Sequence, residues 1–420
     1  MIFEEPLQKK GANVSLIPYV AGRTSKNFLE NSSESLRPAI GGDAKIGIGS
    51  AMNLDLTFNP DFSQVEVDQQ VTNLDRFEIF FPERRQFFLE NGDLFDSFGQ
   101  PRSRPFFSRR IGVDIDSTTG QNVQSKIIYG ARLSGKLNEN WRIGAMNMQT
   151  ATEEDAGIVG KNFTVFALQR RVFERSNIGL IYVNKESLAL DEYQQLFDPT
   201  AYNRLLGVDY NLNSADGKWT GKVFYHRTFE SAEVEKPYSF NAYLLYTDLH
   251  WSWTFSVQDV GKSFNPEVGF LPRAEFKRIN PDVTYLFYPK SKLINRHGPK
   301  LEFEGFWNET LGTTDRDINL GYIIRFNSIA ELEITQKNRY VYLFDDFDPT
   351  RSKGEPLAAG TDYTFRNYLV EFKSNPRKKL NLNLVGEFGE YFTGSIQRIT
   401  TQTGLRLGYL ANISMNFNYA

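Results

Sequence analysis

The chain has 420 residues, with 48 Lys and Arg against 51 Asp and Glu, and the resulting formal charge of -3 removes any bulk-charge argument for a nucleic-acid partner. It has no cysteine and only three histidines, His226, His250 and His297, set far apart. Disulfide frameworks, thiolate chemistry, cysteine metal sites and histidine-based triads therefore fall away, and neither a metal nor another cofactor is expected. Aromatic residues make up 14% of a chain whose mean hydropathy is -0.44. A membrane barrel combines these features, because aromatic girdles and an outer apolar band coexist with a polar interior.

The N-terminus, MIFEEPLQKK, lacks the charged and apolar blocks of a secretion signal, so an exported form would carry its signal upstream of Met1. No run of about eighteen apolar residues is available for a transmembrane helix, whereas membrane strands need only about 9–11 residues. Three strands are expected before residue 60; in the last of them Asn53, Asp55 and Thr57 alternate with Leu54, Leu56 and Phe58. Gly47 and Gly49 belong to this strand region and lack a phosphate-binding context.

After Phe58 the alternation stops until about Ile127. The intervening text, residues 60–125, is too long for a hairpin turn and too rich in Phe for a disordered linker. It reads as an irregular insert that must bury against a partner surface. Phe62, Phe80, Phe81, Phe87 and Phe88 are its candidate aromatic anchors. Asp61, Glu66, Asp68, Glu83, Glu90 and Asp93, interspersed with Arg76, Arg84, Arg85, Arg102, Arg104, Arg109 and Arg110, are candidates for carboxylate–arginine pairs in a partly dry site. Short helical turns are expected at Asp75 to Glu78 and at Glu83 to Glu90, with Pro82 at an early helix position and Asn91-Gly92 as a stop. A folded plug or constriction is the leading reading of the insert, and a ligand-binding or gating role for the arginines comes second. Catalysis by the carboxylates ranks last, because no nucleophile or histidine accompanies them.

From Ile127 onward, paired segments of about ten residues are joined by tight and longer connectors in turn. Ile127 to Leu137 with Trp141 to Thr150 is one such hairpin. Arg204 to Asn213 with Trp219 to Phe229 is another, turned by Asp216-Gly217. Asn381 to Phe388 and Ile413 to Tyr419 show the same period of two. The count is about nineteen strands. The connectors Ser187 to Tyr202, Val260 to Ala274 and Tyr340 to Asp362 read as extracellular loops. Trp251 and Trp253 share one strand face and fit an interface belt, while Asp114, Asp116 and the acidic tip Asp345, Asp346 and Asp348 read as solvated turns. No unit recurs at the spacing of a propeller blade, and no composition shift marks a stacked sandwich. The reading is therefore all-β: a large antiparallel transmembrane barrel of about 18 or more strands. Residues 1–59 supply its first strands, 60–125 a luminal, plug-like insert and 126–420 the remaining strands. Because single-chain barrels of this kind usually have an even strand number, a chain ending at Tyr419-Ala420 reads as C-terminally truncated.

Residues 59–95, NPDFSQVEVDQQVTNLDRFEIFFPERRQFFLENGDLF, resemble the signature of an uncharacterised family of Gram-negative outer-membrane barrel proteins. The matching positions include Asn59, Pro60, Asp61, Phe62, Glu66, Phe81, Pro82, Glu83, Arg84, Phe87, Phe88, Glu90 and Asn91, and the later run SFNPEVGFLPR looks like a second family feature. In that family the barrel commonly follows a domain similar to family-nine carbohydrate-binding modules, which does not precede Met1 here. The resemblance implies an outer-membrane location with outer-membrane lipid as partner, while the strand alternation and the aromatic, charge-paired insert make a gated or plugged transport pore the leading reading, its small solute or glycan substrate left open. The alternative is a non-enzymatic barrel subunit that scaffolds a larger assembly or secretion complex, with other outer-membrane or periplasmic proteins as partners. A membrane-associated hydrolase, the label of some relatives, ranks third, since neither GxSxG nor HExxH is present. The protein is expected not to be an enzyme.

Overall fold

The computed structural model describes residues 13–23, 26–27, 32–33, 37–60, 77–115, 122–153, 157–187, 201–350 and 354–419. Asp61, Phe62, Glu66, Asp68 and Arg76 lie outside the described residues.

The chain opens with β1 (Val14–Arg23), the short pair β2 (Lys26–Asn27) and β3 (Ser32–Ser33), then β4 (Arg37–Ile48) and β5 (Met52–Phe58). The insert follows, with single helical turns α1 (Gln86–Leu89) and α2 (Asp93–Asp96), and it is followed by the small ladder of β6 (Val113–Ile115) and β7 (Asn122–Gln124). Next come β8 (Ile127–Lys136), β9 (Trp141–Thr150), β10 (Lys161–Val172), β11 (Ser176–Ser187), β12 (Tyr202–Asn213), β13 (Trp219–Glu230), β14 (Tyr238–Thr247) and β15 (Trp251–Val260). The last eight strands are β16 (Phe276–Tyr285), β17 (Ile294–Asn308), β18 (Gly312–Phe326), β19 (Glu331–Tyr342), β20 (Asp362–Lys373), β21 (Leu380–Tyr391), β22 (Gly394–Leu407) and β23 (Ala411–Tyr419).

Nineteen of these strands form one sheet, close to the expected count. The ladders are antiparallel throughout. β1 pairs with β4, β4 with β5 and β5 with β8. From β8 on, each strand pairs with the next in sequence, as in β8–β9, β9–β10, β12–β13 and β22–β23. Such a meander needs tight turns, and short polar side chains supply them by bonding the local backbone. Asn138 Oδ1 accepts from the amides of Asn140 and Trp141, and Asp248 Oδ1 accepts from those of His250 and Trp251. At the Asp216-Gly217 turn, Gly217 takes φ 72°, a conformation only glycine adopts freely. From β4 to β16 tight turns alternate with longer connectors, so this part of the sheet has a short-turn end and a long-connector end, and the insert joins β5 to β8 at the latter.

The two faces invert the usual soluble arrangement. On β13, Val223 and Tyr225 are 43% and 47% exposed, whereas the alternate residues His226 and Thr228 are 0% and 1% exposed. β12 repeats this, with Leu206 and Val208 exposed and Asp209 buried. Exposed apolar side chains recur at alternate positions in later strands, among them Phe255, Ile279, Leu320, Ile334, Phe388 and Phe417. The apolar outer face carries an aromatic cluster at the short-turn end: Trp219 lies 4.8 Å from Tyr246 and 5.4 Å from Trp253, and Trp251 lies 4.6 Å from Tyr285. The expected shared face for Trp251 and Trp253 is the face they occupy.

Two expectations need correction. Of the helical turn expected at Asp75 to Glu78, the described residues Phe77 and Glu78 are not helical, and the second expected turn shrinks to α1. Asn91, at φ 50°, does stop α1, but Gly92 immediately opens the unexpected α2. The connector Val260 to Ala274 is not a free loop. It packs on the insert and buries Phe264, Val268 and Phe270, because those apolar side chains find a dry surface there and none in solvent.

Candidate functional site

The buried face of the sheet and the insert form one continuous contact. From its entry at the long-connector end, the insert first braces itself. Glu83 accepts from Arg85 Nη2 at 2.7 Å, Arg85 Nε at 3.0 Å, Ser108 Oγ at 2.6 Å and the backbone amides of Arg84 and Arg85 at 2.9 Å. Burial alone would raise the Glu83 carboxyl, but the Arg85 hydrogen bond and charge, with Ser108, outweigh it and hold the group below the usual carboxylate range. Arg85 also donates to the carbonyls of Ser108 and Ile111, tying the start of the insert to its end. Arg109 Nη1 donates to the Pro82 carbonyl and lies over Phe81, and Arg110 pairs with Glu78 at 2.7 Å.

The insert then descends toward the short-turn end, contacting one strand after another. Glu90 pairs with Lys45 of β4, and Asn91 donates to Ser134 of β8. Asp93 pairs with Arg142 of β9 at 2.7 Å. Ser97 Oγ accepts from Gln169 of β10, and the Ser97 carbonyl accepts from Lys222 of β13. Phe95 and Phe98 press on glycines of β9 and β11: a Cβ on Gly144 would lie 2.7 Å from Phe95 Cζ, and one on Gly179 would lie 2.7 Å from Phe98 Cε1. Returning toward the long-connector end, Gln100 donates to Gln258 of β15 at 2.6 Å, and Ser103 meets Ser239 of β14 at 3.1 Å. The backbone then pairs with the connector: Arg104 exchanges hydrogen bonds with Phe270, and the Phe107 amide donates to Val268.

Two buried polar centres anchor this contact. Asp209 Oδ2 accepts from the Gly99 amide at 2.8 Å, while Asp209 Oδ1 lies 2.7 Å from His226 Nε2 and Lys222 lies 3.2 Å away. Arg132 of β8 pairs with Asp55 of β5 at 2.8 Å and lies under the Phe87 ring. Phe88 stacks under the Arg85 guanidinium, and Phe80 lies between Arg104 and the rings of Phe107 and Phe270.

Beside the insert, toward β16–β22, a cavity of about 680 Å³ remains open. Phe80, Phe270, Phe276, Phe306, Phe365 and Phe392 give it an aromatic wall, and Arg102 reaches it from the insert, 3.8 Å from Glu304. Opposite, β18–β22 present Asp317, Lys337, Arg339, Glu387 and Arg398. Arg273, from the SFNPEVGFLPR run, pairs with Asp315 at 2.5 Å and lies 4.7 Å from the Phe306 ring centre. Among the described residues no group of three His, Cys, Asp or Glu side chains is arranged to hold a metal ion.

The candidates in the described part of the insert thus lie on one contact surface, but they divide in two. Glu83, Arg85, Arg109 and Arg110 hold the insert to itself, whereas Glu90, Asp93 and Arg102 reach the sheet. The sheet residues Asp209, Lys222, His226 and Gln258 escaped sequence reasoning. Their one signal is parity: each is a polar residue at an inward position of a strand whose neighbours are apolar.

These features define an all-β protein: a single large antiparallel meander, apolar on its exposed face and covered on the other by an ordered insert that packs through hydrogen bonds and a buried apolar cluster. The chain belongs to the family described as "Domain of unknown function (DUF5916)", which it matches over residues 12–420. No curated protein matches it. Solved structures similar to the chain include a receptor and a transporter. The siderophore receptor PirA from Acinetobacter baumannii has 9% identity and a TM-score of 0.41, with 98% of this chain and 68% of that one covered. The FrpB iron transporter from Neisseria meningitidis (F3-3 variant) has 10% identity and a TM-score of 0.36, with 98% and 77% covered.

Proposed function

We propose that the protein is an outer-membrane β-barrel whose sheet curves around residues 77–115, and that this insert is a plug that restricts a transport path through the lumen. The observation that carries the reading is the ordered series of polar contacts from the insert to one face of β8–β15, set against an opposite face of exposed apolar side chains. An apolar exterior suits lipid, and Trp and Tyr at one end of it suit a membrane interface. The insert docks through these hydrogen bonds and through a buried apolar cluster in which its Phe88, Leu94, Phe95 and Phe98 pack with Met146, Met148, Phe163 and Val165 of the sheet. The open cavity beside the insert gives the path a place to begin. Chemistry on the cargo is not part of the proposal: Glu83, the best-held carboxylate, is fully engaged by Arg85 and Ser108.

Single-channel recording in planar bilayers tests this. The full chain should conduct weakly, and a variant with residues 77–110 replaced by a short Gly/Ser linker should open a larger, steady conductance. Equal conductance from both, with both shown folded by their circular dichroism, would remove the plug from the proposal.

A further inference from the structure

The cavity beside the insert has an unbalanced polar wall. On its sheet side Lys337, Arg339 and Arg398 stand with Asp317 and Glu387, three cations against two carboxylates, and Arg102 adds a further cation from the insert. The other acids of the lining already have tight partners outside this set: Glu78 with Arg110, Glu304 with Arg278 at 2.6 Å, and Asp315 with Arg273. The three cations are also loosely held. Arg339 Nε lies 3.7 Å from Asp317, Lys337 lies 3.6 Å from Glu387, and Arg398 lies 3.4 Å from Glu387. Good charge-assisted hydrogen bonds run to about 2.7–2.9 Å, as Arg132–Asp55 does at 2.8 Å. Arg339 Nε has no hydrogen-bond partner among the described residues. Next to Lys337 in the β19–β20 ladder, Asn367 is 0% exposed, and both atoms of its amide also lack a partner. Buried polar groups are nearly always satisfied, so the unfilled Arg339 donor beside the open space points to a missing acceptor.

We infer that this cavity binds a small organic monoanion with a flat apolar body, its anionic group meeting Lys337, Arg339 and Arg398 and its body lying against the phenylalanine wall. The excess of cations over free carboxylates on this wall selects an anionic group. Rings such as Phe306 and Phe365, which is 5.1 Å from Phe392, offer faces and edges to an aromatic or planar ligand. A volume of about 680 Å³ accommodates a drug-sized molecule. Because Phe80 and Arg102 belong to the insert, an occupied cavity also holds the insert in place.

The inference stands apart from conduction, since binding is read without ion passage. Isothermal titration calorimetry on the full chain in nonionic detergent, with empty micelles subtracted, would compare 1-naphthoate, 1-naphthalenemethanol and 1-naphthylmethylammonium. The naphthoate should bind saturably, one per chain, at least tenfold tighter than the neutral and cationic compounds. Arg339→Gln should weaken naphthoate at least fivefold, and Asp317→Asn, which removes a competing carboxylate, should tighten it. If Arg339→Gln does not fold, Arg398→Gln reads the same term. Equal affinity for the three compounds, absence of saturable naphthoate binding, or weaker binding by Asp317→Asn would overturn the inference.

Discussion

The backbone amide of Gly99 donates to the buried carboxylate of Asp209 across 2.8 Å, joining positions 110 residues apart. Asp209 is 0% exposed, and its other oxygen faces His226, with Lys222 alongside. A main-chain group of the insert therefore completes a polar centre that the sheet alone leaves short of a donor.

Replacing Asp209 by Ala should loosen the insert at its deepest point. Lys222 and His226 would lose their shared acceptor, and breaking such a buried charged centre typically costs about 3–5 kcal/mol. Hydrogen exchange of the Gly99 amide should accelerate strongly while β20–β23 stay protected. Unchanged exchange at Gly99 would show that the carboxylate is not its anchor.

Gly144 and Gly179 leave the space that Phe95 and Phe98 fill. A valine at either position would put a Cβ 2.7 Å from a ring carbon, and overpacking of this kind costs about 1–3 kcal/mol. In Gly144→Val and Gly179→Val, trypsin should cut after Arg102, which precedes Ser103, faster than in the wild type. A cutting rate equal to that of the wild type would mean that the rings have another place to go.

The insert should respond to pH in two opposite steps. Asp96 reaches solvent at one edge but is otherwise packed in protein; that desolvation, with Glu83 and Asp93 adding to it against Arg104, pushes its carboxyl up to about 6. A raised folded value means that the folded state holds the proton more tightly, so stability increases as pH falls from above 6 toward the ordinary aspartate value of about 3.9. Glu83 has the reverse sign. Its depressed value contributes stability that is present above the ordinary glutamate value of about 4.3 and is lost as pH falls through the folded value. Protection of residues 77–115, corrected for intrinsic exchange, should therefore peak at about pH 4, where the Asp96 gain is nearly complete and the Glu83 loss has begun. In Asp96→Asn the rise between pH 7 and 5 should vanish, and in Glu83→Gln the acid loss should vanish. A profile that falls steadily from pH 7 to 3 in the wild type would contradict the assignment of Asp96.

Charges on the exposed face should obstruct assembly in lipid. Val208 and Leu206 point outward from the middle of β12, and an arginine at the bilayer midplane of a barrel costs about 2–4 kcal/mol. Val208→Arg should fold into vesicles more slowly and to lower yield, read as loss of heat-modifiable migration. Should it assemble like the wild type, this face does not meet lipid.

Much of the sheet was legible in the sequence because strand alternation and turn chemistry are local. Asp216-Gly217 marked its turn, Trp251 and Trp253 shared a face, and the break after Phe58 marked the insert. Helix boundaries were less legible, since α1 and α2 are single turns whose length depends on what they pack against. Arginine–carboxylate pairing was legible only where both partners lie close in sequence, as in Glu83 and Arg85, and the same composition gave no hint that Glu90 would find Lys45 or that Asp93 would find Arg142.

What the sequence by itself determined is a two-faced antiparallel meander interrupted by an aromatic, charge-rich insert, because a period of two and the residues that break it act over a few neighbours. Only the tertiary structure decided that Asp209, Ser239 and Gln258 receive the insert, that the Val260 to Ala274 connector closes over it, and that Lys337, Arg339 and Arg398 share a cavity. These groupings depend on which inward positions the sheet brings together across distant strands, and every inward polar residue looks alike until the sheet has chosen its neighbours.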